Sequence, residues 1–552
     1  MMARMDPRST RRPRREESDR LMALRRSIAI FATATAAAGA LHFQFACARA
    51  KHEMVEHPTA VEDPQRPDVI SNRAKNAILF VGDGMGISTV TAARILEGQL
   101  RGESGEENQL SFDRFPDVAL IKVYNTNQQT PDSSGTMTAI VTGEKTRAGV
   151  VSVDASVDRG DFSRADGHRL ETIVEVAEDR GLSTGLVTTT SVTHATPAAL
   201  YAHSPERYWE SDTGMTPEAR AAGFPDIARQ LIEFSRGDGL EVALGGGEQY
   251  FRPDGPTTAA LWPHLKGKAI TRSDGRDLTE EWLARRPGSV FVRTCSEIEN
   301  LDTAATSHLL GLFAVKHMRF EADRENALPC QPSLTRMMLT ALEILERNPL
   351  GYFLMVEGGR IDHGHHNANA YRALADTIEF ARAVGFAAER TSADDTLIVV
   401  TADHGHVFNM GGYSTRGNDI LGLTIGNDHR GRPAREPTLD ALGLPFTTLG
   451  YQNGPGYTGS SKDQPEGPKF HPHRPRVISG VTEGRPDLTG VDTADPDYLQ
   501  ETAVPLLSET HSGEDVAAYA RGPGSRLFNG VREQNYLYHA IVEALGWNRP
   551  AE

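Results

Sequence analysis

Five stretches of the chain run apolar and β-branched for four or five residues and then break at Gly, Asp or a polar turn: Ala77–Val81, Thr184–Thr188, Glu241–Leu244, Tyr352–Val356 and Thr396–Val400. Runs of that kind suit strands covered on both faces, because neither side has to meet water. Helical periodicity separates them over Gly135–Thr142, Arg169–Arg180, Pro225–Phe234, Ser333–Arg347 and Ala370–Arg390, and more weakly from Leu110. The alternation predicts an α/β fold, a mostly parallel central sheet with helices on both faces. No internal repeat is visible. Residues 405–500 are rich in Gly and Pro, as in Gly454-Pro455-Gly456 and Pro472-His473-Arg474-Pro475, with few apolar runs. A compact core has no use for so long a connection, so 405–500 reads as an inserted, irregular subdomain. The main domain then comprises residues 76–404 and 501–552, preceded by a polar leader at 51–75.

Composition narrows the possibilities. With 552 residues, 39% hydrophobic and 24% charged, the chain can bury a large core, and three Cys exclude a disulfide scaffold. Lys and Arg number 58 against 74 Asp and Glu, a formal charge of -16, so no basic surplus draws it to nucleic acid. The first fifty residues nevertheless carry ten Arg against four acids, a charge of +6 that leaves -22 on residues 51–552. Within them a basic start at Arg25-Arg26, an apolar stretch from Ile28 to Phe45 and Ala48-Arg49-Ala50 match a cleaved secretory signal at 1–50. The expectation is export to the periplasm or the outside, by a twin-arginine route if Arg25-Arg26-Ser27-Ile28 serves as its signal. An uncleaved anchor fits worse, since the stretch is Ala-rich, interrupted by His42 and followed by no second hydrophobic run. Lipidation at Cys47 is a further alternative, poorly matched by Gln44-Phe45-Ala46. Export permits Cys295 and Cys330 to pair, with two buried thiols as the plainer reading.

Chemistry gathers where the strands end. Val-Gly-Asp-Gly places Asp83 after one strand; Val-Glu-Gly-Gly-Arg-Ile-Asp-His-Gly-His-His places Glu357, Asp362 and His366 after another; Thr-Ala-Asp-His places Asp403 and His404 after a third. In open α/β sheets the carboxyl ends of the strands form the ligand crevice, so these residues can converge. Each motif alone could be a turn or a chance pair. Together, mixed Asp and His suit zinc with an open position, whereas an all-oxygen set suits magnesium. His363 and His365 could support the ligands from behind or simply be solvated. Ser133, in Thr130-Pro131-Asp132-Ser133-Ser134-Gly135, could be a helix N-cap or a nucleophile presented at a helix start, with Ser134 as its rival. No G-x-S-x-G elbow occurs, so metal activation is the more economical route.

Six segments then match, in order, the alkaline phosphatase pattern: NAILFVGDGMG, TPDSSGTMTAIVTGEKT, THATPAALYAHSPERYW, GYFLMVEGGRIDHGHHNANAYRAL, LIVVTADHGHVFNMGGY and ETHSGEDVAAYARGP. From Asn76 onward the chain resembles that family, in particular its animal-type branch. The resemblance implies zinc on Asp362, His366 and His511, a second zinc on Asp83, Asp403 and His404 completed by Ser133, and magnesium on Asp83, Thr196 and Glu357. It makes Arg207 the clamp for phosphate, a residue that would otherwise read as a surface Arg. His194 and His363 match histidines around the third metal and the phosphate. One departure stands out: the animal enzymes' calcium site uses Glu in Leu-Phe-Glu-Pro, where this chain has Leu312-Phe313-Ala314-Val315.

The implied reaction is hydrolysis of phosphate monoesters through a phosphoserine, with two zinc ions serving the entering and leaving oxygens. A planar guanidinium suits two non-bridging oxygens as a Lys could not. A homodimer, usual in the family, is implied as well. The rival readings are a phosphodiesterase or sulfatase on the same kind of sheet, and a non-enzymatic zinc-binding protein, which would leave Ser133 and Arg207 unexplained.

Overall fold

The computed structural model describes residues 73–253, 272–473 and 485–547, and the backbone of 478–479; the segment 1–50 with Cys47, and nearly all of 51–75, lie outside the described residues. Ten strands form the central sheet: β1 (Asn76–Gly82), β2 (Asp117–Lys122), β3 (Ser183–Ser191), β4 (Val242–Gly246), β5 (Ser289–Val292), β6 (His308–Leu312), β7 (Tyr352–Glu357), β8 (Thr396–Ala402), β9 (Val516–Arg521) and β10 (Gly530–Glu533). Their spatial order is β10-β2-β9-β8-β1-β7-β3-β4-β6-β5. Only β9 runs antiparallel to its neighbours, β8 and β2. All five anticipated strands are present, four of them within a residue or two at each end, while β3 runs three residues beyond the expected Thr188. The mostly parallel α/β architecture is therefore the observed one.

β1, β7 and β8 are buried along their whole length, which is why their sequences read as unbroken apolar runs. The strands that sequence pattern missed lie toward the edges or are short. β2 alternates, with Val118, Leu120 and Lys122 exposed, and β9 alternates with half-buried positions. The weak helical signal from Leu110 resolves into a short 3-10 turn, Ser111–Arg114, that feeds β2.

The helices that bear on the site and the core are α1 (Ile87–Leu100), α2 (Ser133–Thr142), α3 (Ile173–Asp179), α4 (Ala195–Ala198), α5 (Ile227–Glu233), α6 (Leu334–Leu345), α7 (Arg360–His366), α8 (Ala370–Arg390) and α9 (Tyr536–Leu545). Side chains one residue before the first turn start several of them: Ser333 accepts from Arg336 N at 3.2 Å and Asn369 from Arg372 N at 2.8 Å. Helix α8 contacts both α1 and α6, helix α2 contacts α3, α4 and α9 in a second set, and each set also packs on the sheet. The two sets cover its two faces. On one of them the fully buried Phe380 of α8 meets Phe80 of β1 edge to face, 5.8 Å between centroids, and Phe112 at 6.4 Å. Truncating such a ring to Ala costs about 3–5 kcal/mol.

Among the described residues of 405–500, Phe408–Met410 and Leu449–Gly454 join Thr502–Pro505 in a separate three-stranded sheet. Gly405–His406 pairs with His511–Ser512, which carries the C-terminal part of the chain back to the end of β8. The two-thiol expectation is corrected: Cys295 and Cys330 form a disulfide, Cα atoms 5.6 Å apart. It ties the short helix Cys295–Glu299 to the segment leading into α6.

Candidate metal centre

Four adjacent strands, β8, β1, β7 and β3, end along one edge of the sheet. Asp83 follows β1, Glu357 closes β7, Asp403 and His404 follow β8, and His194 and Thr196 stand at the start of α4 beyond β3. Asp83, Glu357, Asp403, His404 and Thr196 are completely buried. The turn after β1 requires glycine on two counts: Gly84 has φ 71°, and a Cβ there would lie 2.3 Å from His406 Nε2. Its N–H donates to Asp403 Oδ1 at 3.1 Å, tying the ends of β1 and β8 together.

Three ligand atoms converge at α7. Asp362 Oδ1 lies 3.3 Å from both His366 Nε2 and His511 Nε2, and the two nitrogens are 3.2 Å apart. His366 Nδ1 is 2.6 Å from the Glu509 carbonyl and His511 Nδ1 2.8 Å from the Pro131 carbonyl. A carbonyl can only accept, so both Nδ1 atoms carry the proton and both Nε2 lone pairs face each other and a carboxylate oxygen. Without a cation between them that arrangement is repulsive.

A second group shares the same edge. His404 Nε2 is 3.4 Å from Asp83 Oδ1, 3.3 Å from Asp403 Oδ2 and 3.2 Å from Ser133 Oγ. Asp132 caps α2 by accepting from Gly135 N at 3.1 Å. Gly135 must lack a side chain, since a Cβ would sit 1.9 Å from Asn125 Nδ2. The two serines are distinguished by their partners: Ser134 Oγ donates to Asp132 Oδ2 at 2.7 Å and accepts from Gly149 N at 2.9 Å, whereas Ser133 Oγ faces His404.

The third group has the donor set best suited to a cation. Asp83 Oδ1 and Oδ2, Glu357 Oε1, Thr196 Oγ1 and His194 Nδ1 are all buried with no hydrogen-bond partner. Asp83, His194 and Glu357 each offer an atom within 4.8 Å of the others. Orphaned buried oxygens of this number are costly unless a cation satisfies them, so the residues fit a metal. Electrostatics agree. Burial first, then the charges of Asp403, Asp362 and Glu357, push the Asp83 carboxyl well above its ordinary range. Burial pushes Glu357 up to about 8, and it raises Asp403 too. Burial would also raise Asp362, but His366, His406 and His511 outweigh it and hold it well below the usual range.

Arg207, half-hidden in sequence, points into this edge: Nη1 donates to Asp132 Oδ2 at 3.1 Å and Nη2 to His194 Nε2 at 3.3 Å. Asp132 therefore positions the helix start, Ser134 and the guanidinium at once. The family model described as alkaline phosphatase matches residues 74–547. The chain belongs to the alkaline phosphatase family. It is 45% identical over 478 residues to the tissue-nonspecific alkaline phosphatase of Homo sapiens, covering 86% of this chain and 84% of that one. The alkaline phosphatase of Gadus morhua is 44% identical over 482 residues, 87% of this chain and 93% of its own. Among solved structures, Thermus thermophilus alkaline phosphatase superimposes with a TM-score of 0.59 at 26% identity, covering 86% of this chain and 92% of that one. The enzyme from the Antarctic bacterium TAB5 has a TM-score of 0.54 at 21% identity, over 87% of this chain and 99% of its own, a likeness of fold.

Eleven of the twelve site residues named from the sequence lie at this edge, and the twelfth, His363, sits beside it with its ring 5.7 Å from that of His194. The solvated reading of His365 is wrong, because that side chain is fully buried. Sequence reasoning missed three residues. His406 Nε2 lies 3.0 Å from Asp362 Oδ1 and its Nδ1 2.5 Å from Glu509 Oε2. The second His of His404-Gly405-His406 was a visible signal, since residues two apart along an extended segment face the same way. Glu509 carried none beyond preceding His511 by two. His317, whose ring is 4.5 Å from that of His363 and 5.3 Å from that of His194, completes a cluster of imidazoles beside Arg207.

Proposed function

We propose that this member of the alkaline phosphatase family hydrolyses phosphate monoesters by transferring the phosphoryl group to Ser133 and then to water. The residues fit three ions: zinc on Asp362, His366 and His511, zinc on Asp83, Asp403, His404 and Ser133, and magnesium on Asp83, Glu357 and Thr196. When bound, zinc would supply charge for the entering and leaving oxygens of an in-line displacement, and magnesium a hard cation beside them. The observation that carries the reading is the pair of facing Nε2 lone pairs against Asp362 Oδ1, next to a serine on a helix start.

The protein groups divide the remaining work. Ser133 Oγ attacks phosphorus, an O–P bond forms to serine and the bond to the alcohol oxygen breaks; attack by water on the phosphoserine then releases phosphate and restores the hydroxyl. Helix α2 begins at Ser133, so its first N–H groups face an anion at that end. Arg207 binds two non-bridging oxygens, held in place by Asp132 and His194. Little is asked of the leaving group beyond its oxygen, which supports broad monoester specificity.

Export under the direction of residues 1–50, an inserted subdomain at 405–500 and a homodimer belong to the same reading, supported by the signal pattern, the composition of the insertion and the resemblance. Among the described residues no helix is long and apolar enough to cross a membrane. Turnover of p-nitrophenyl phosphate against its bis-ester and p-nitrophenyl sulfate tests the proposal. A preference for either of the latter would replace it with a diesterase or sulfatase, and no turnover of any would leave a metal-binding protein.

A further inference from the structure

His365 sits on the ligand-bearing helix α7, three residues after Asp362 and one before His366, yet both its ring nitrogens are engaged elsewhere. Its Nε2 lies 2.9 Å from Thr89 Oγ1 of α1, and its Nδ1 lies 2.8 Å from the Tyr451 hydroxyl on the strand Leu449–Gly454. Hydroxyl hydrogens rotate, so either tautomer of a neutral imidazole finds a donor on one side and an acceptor on the other. A side chain that merely filled the core would more cheaply be apolar; a fully buried imidazole held at both nitrogens is fixed in plane and in rotation.

That plane is used. The His365 ring stacks on the His406 ring, 4.8 Å between centroids at 29°, with Phe408 at 5.0 Å closing its surroundings. His406 in turn spans Asp362 Oδ1 and Glu509 Oε2. Asp362 is the only carboxylate among the three atoms that converge at α7, so the direction of its Oδ1 sets the shape of that site. We propose that His365 is a positioning residue for the Asp362, His366 and His511 site: clamped by Thr89 and Tyr451, it holds His406 flat and through it orients Asp362. The helix α1, the metal helix and the strand at 449–454 are thereby bolted together beside the ligands.

The inference rests on the zinc reading above, and its test separates the two. In the full-length enzyme, zinc affinity is measured by competition with a chelator, the visible spectrum is recorded after cobalt replaces zinc, and the unfolding midpoint is taken on metal-free protein. Residues that orient a metal ligand typically contribute about 10–100-fold to affinity, so His365→Ala should weaken zinc by that factor and alter the cobalt bands. Tyr451→Phe removes one hydroxyl from a packed ring and should weaken zinc by about five-fold, one hydrogen bond's worth, with the metal-free midpoint close to that of the parent. If His365→Ala fails to fold, Tyr451→Phe and Thr89→Val decide. Zinc constants and cobalt spectra unchanged in these two variants would overturn the proposal, as would a loss of affinity that merely tracks a loss of metal-free stability. Parent enzyme that takes up neither zinc nor cobalt would overturn the metal reading instead.

Discussion

Strand β3 touches a buried acidic cluster at each end, and the two clusters are alike in acidity but not in use. At its start, Thr184 Oγ1 donates to Glu178 Oε1 at 2.5 Å, Thr184 N donates to Glu241 Oε2 at 2.7 Å and Gly239 N to Glu178 Oε2 at 3.2 Å. At its end, Thr188 and Thr190 donate to Glu357 Oε2, leaving Glu357 Oε1 and both oxygens of Asp83 without partners. Burial pushes Glu178 and Glu357 alike up to about 8. A raised pKa therefore does not mark the site. Unpartnered oxygens facing imidazole nitrogens do, because a proton can satisfy the first cluster whereas only a cation satisfies the second.

The sharpest way to break that contrast is at the nucleophile. Ser133→Ala should lower kcat by about a thousand-fold or more, since the covalent route disappears. Ser134→Ala, which removes a hydroxyl already committed to Asp132 and Gly149, should have a far smaller effect. Acid-quenched reaction with labelled phosphate followed by peptide mapping checks both. Label on Ser134, or full activity without Ser133, would reassign the nucleophile.

The opposite cluster should govern stability rather than turnover. Glu178 is an acid whose folded pKa, about 8, lies above its ordinary value, with burial and then the Glu241 charge as causes; burial likewise raises Glu241 to about 7. The folded state thus holds these protons more tightly than the unfolded chain. Their contribution is fully present below about pH 4.5 and is lost as pH rises through 7 to 8. Unfolding midpoints should fall between pH 6 and pH 9 by an amount on the order of 2 kcal/mol or more. Glu178→Gln, whose amide can donate to Thr184 while its carbonyl accepts from Gly239, should flatten that fall and leave kcat alone. An unchanged slope would return the pair to ordinary ionised carboxylates.

These two ends also show how legibility is distributed along the chain. Asp83, Glu357, Asp403 and His404 could be read because each directly follows an unbroken apolar strand, so a local pattern placed them at one edge. Asp362 and His366 were read in the same way, as part of the polar segment that follows β7. Arg207 came only from resemblance, since its neighbours Asp132 and His194 meet it through tertiary packing. His406 and Glu509 act through each other across about a hundred residues, and no periodicity records such a contact. The Glu178 and Glu241 pair was silent for the same reason. Strands β2 and β9 escaped notice because they alternate rather than run unbroken, and a short Ala-rich alternation such as Val516–Arg521 has little amplitude.

A third variant sharpens the anion side of the site. Arg207 is half-buried, and its donors are directed by Asp132 and His194. Charge-assisted contacts to an anion contribute about 1.5–3 kcal/mol, so Arg207→Ala should raise the inhibition constant of inorganic phosphate about ten-fold or more. Asp132→Asn should produce a smaller rise, because it loosens the guanidinium without removing it. An unchanged constant in Arg207→Ala would remove that residue from the site.

The smallest expected effect concerns the third ion. A protonated His194 would repel a cation, but burial and then the Arg207 charge push His194 down to about 3, so it is neutral throughout the working range. Because Arg207 Nη2 donates to Nε2, the proton of that neutral ring resides on Nδ1, the buried atom without a partner. An N–H there can only donate, whereas water held by a hard cation presents hydrogens outward and needs acceptors. Asp83 and Glu357 supply carboxylate oxygens on one side; His194 supplies none on the other. Magnesium should consequently bind weakly, and metal-free enzyme should recover part of its activity with zinc and more with zinc plus magnesium. His194→Asp adds an acceptor and should shift the magnesium titration to concentrations several-fold lower, about 1 kcal/mol, the worth of one further hydrogen bond. Part of that gain will be spent on Arg207, which would turn toward the new carboxylate, so phosphate inhibition should change in the same variant. Complete recovery with zinc alone, and no magnesium response in either protein, would remove Asp83, Glu357 and Thr196 from a separate metal site.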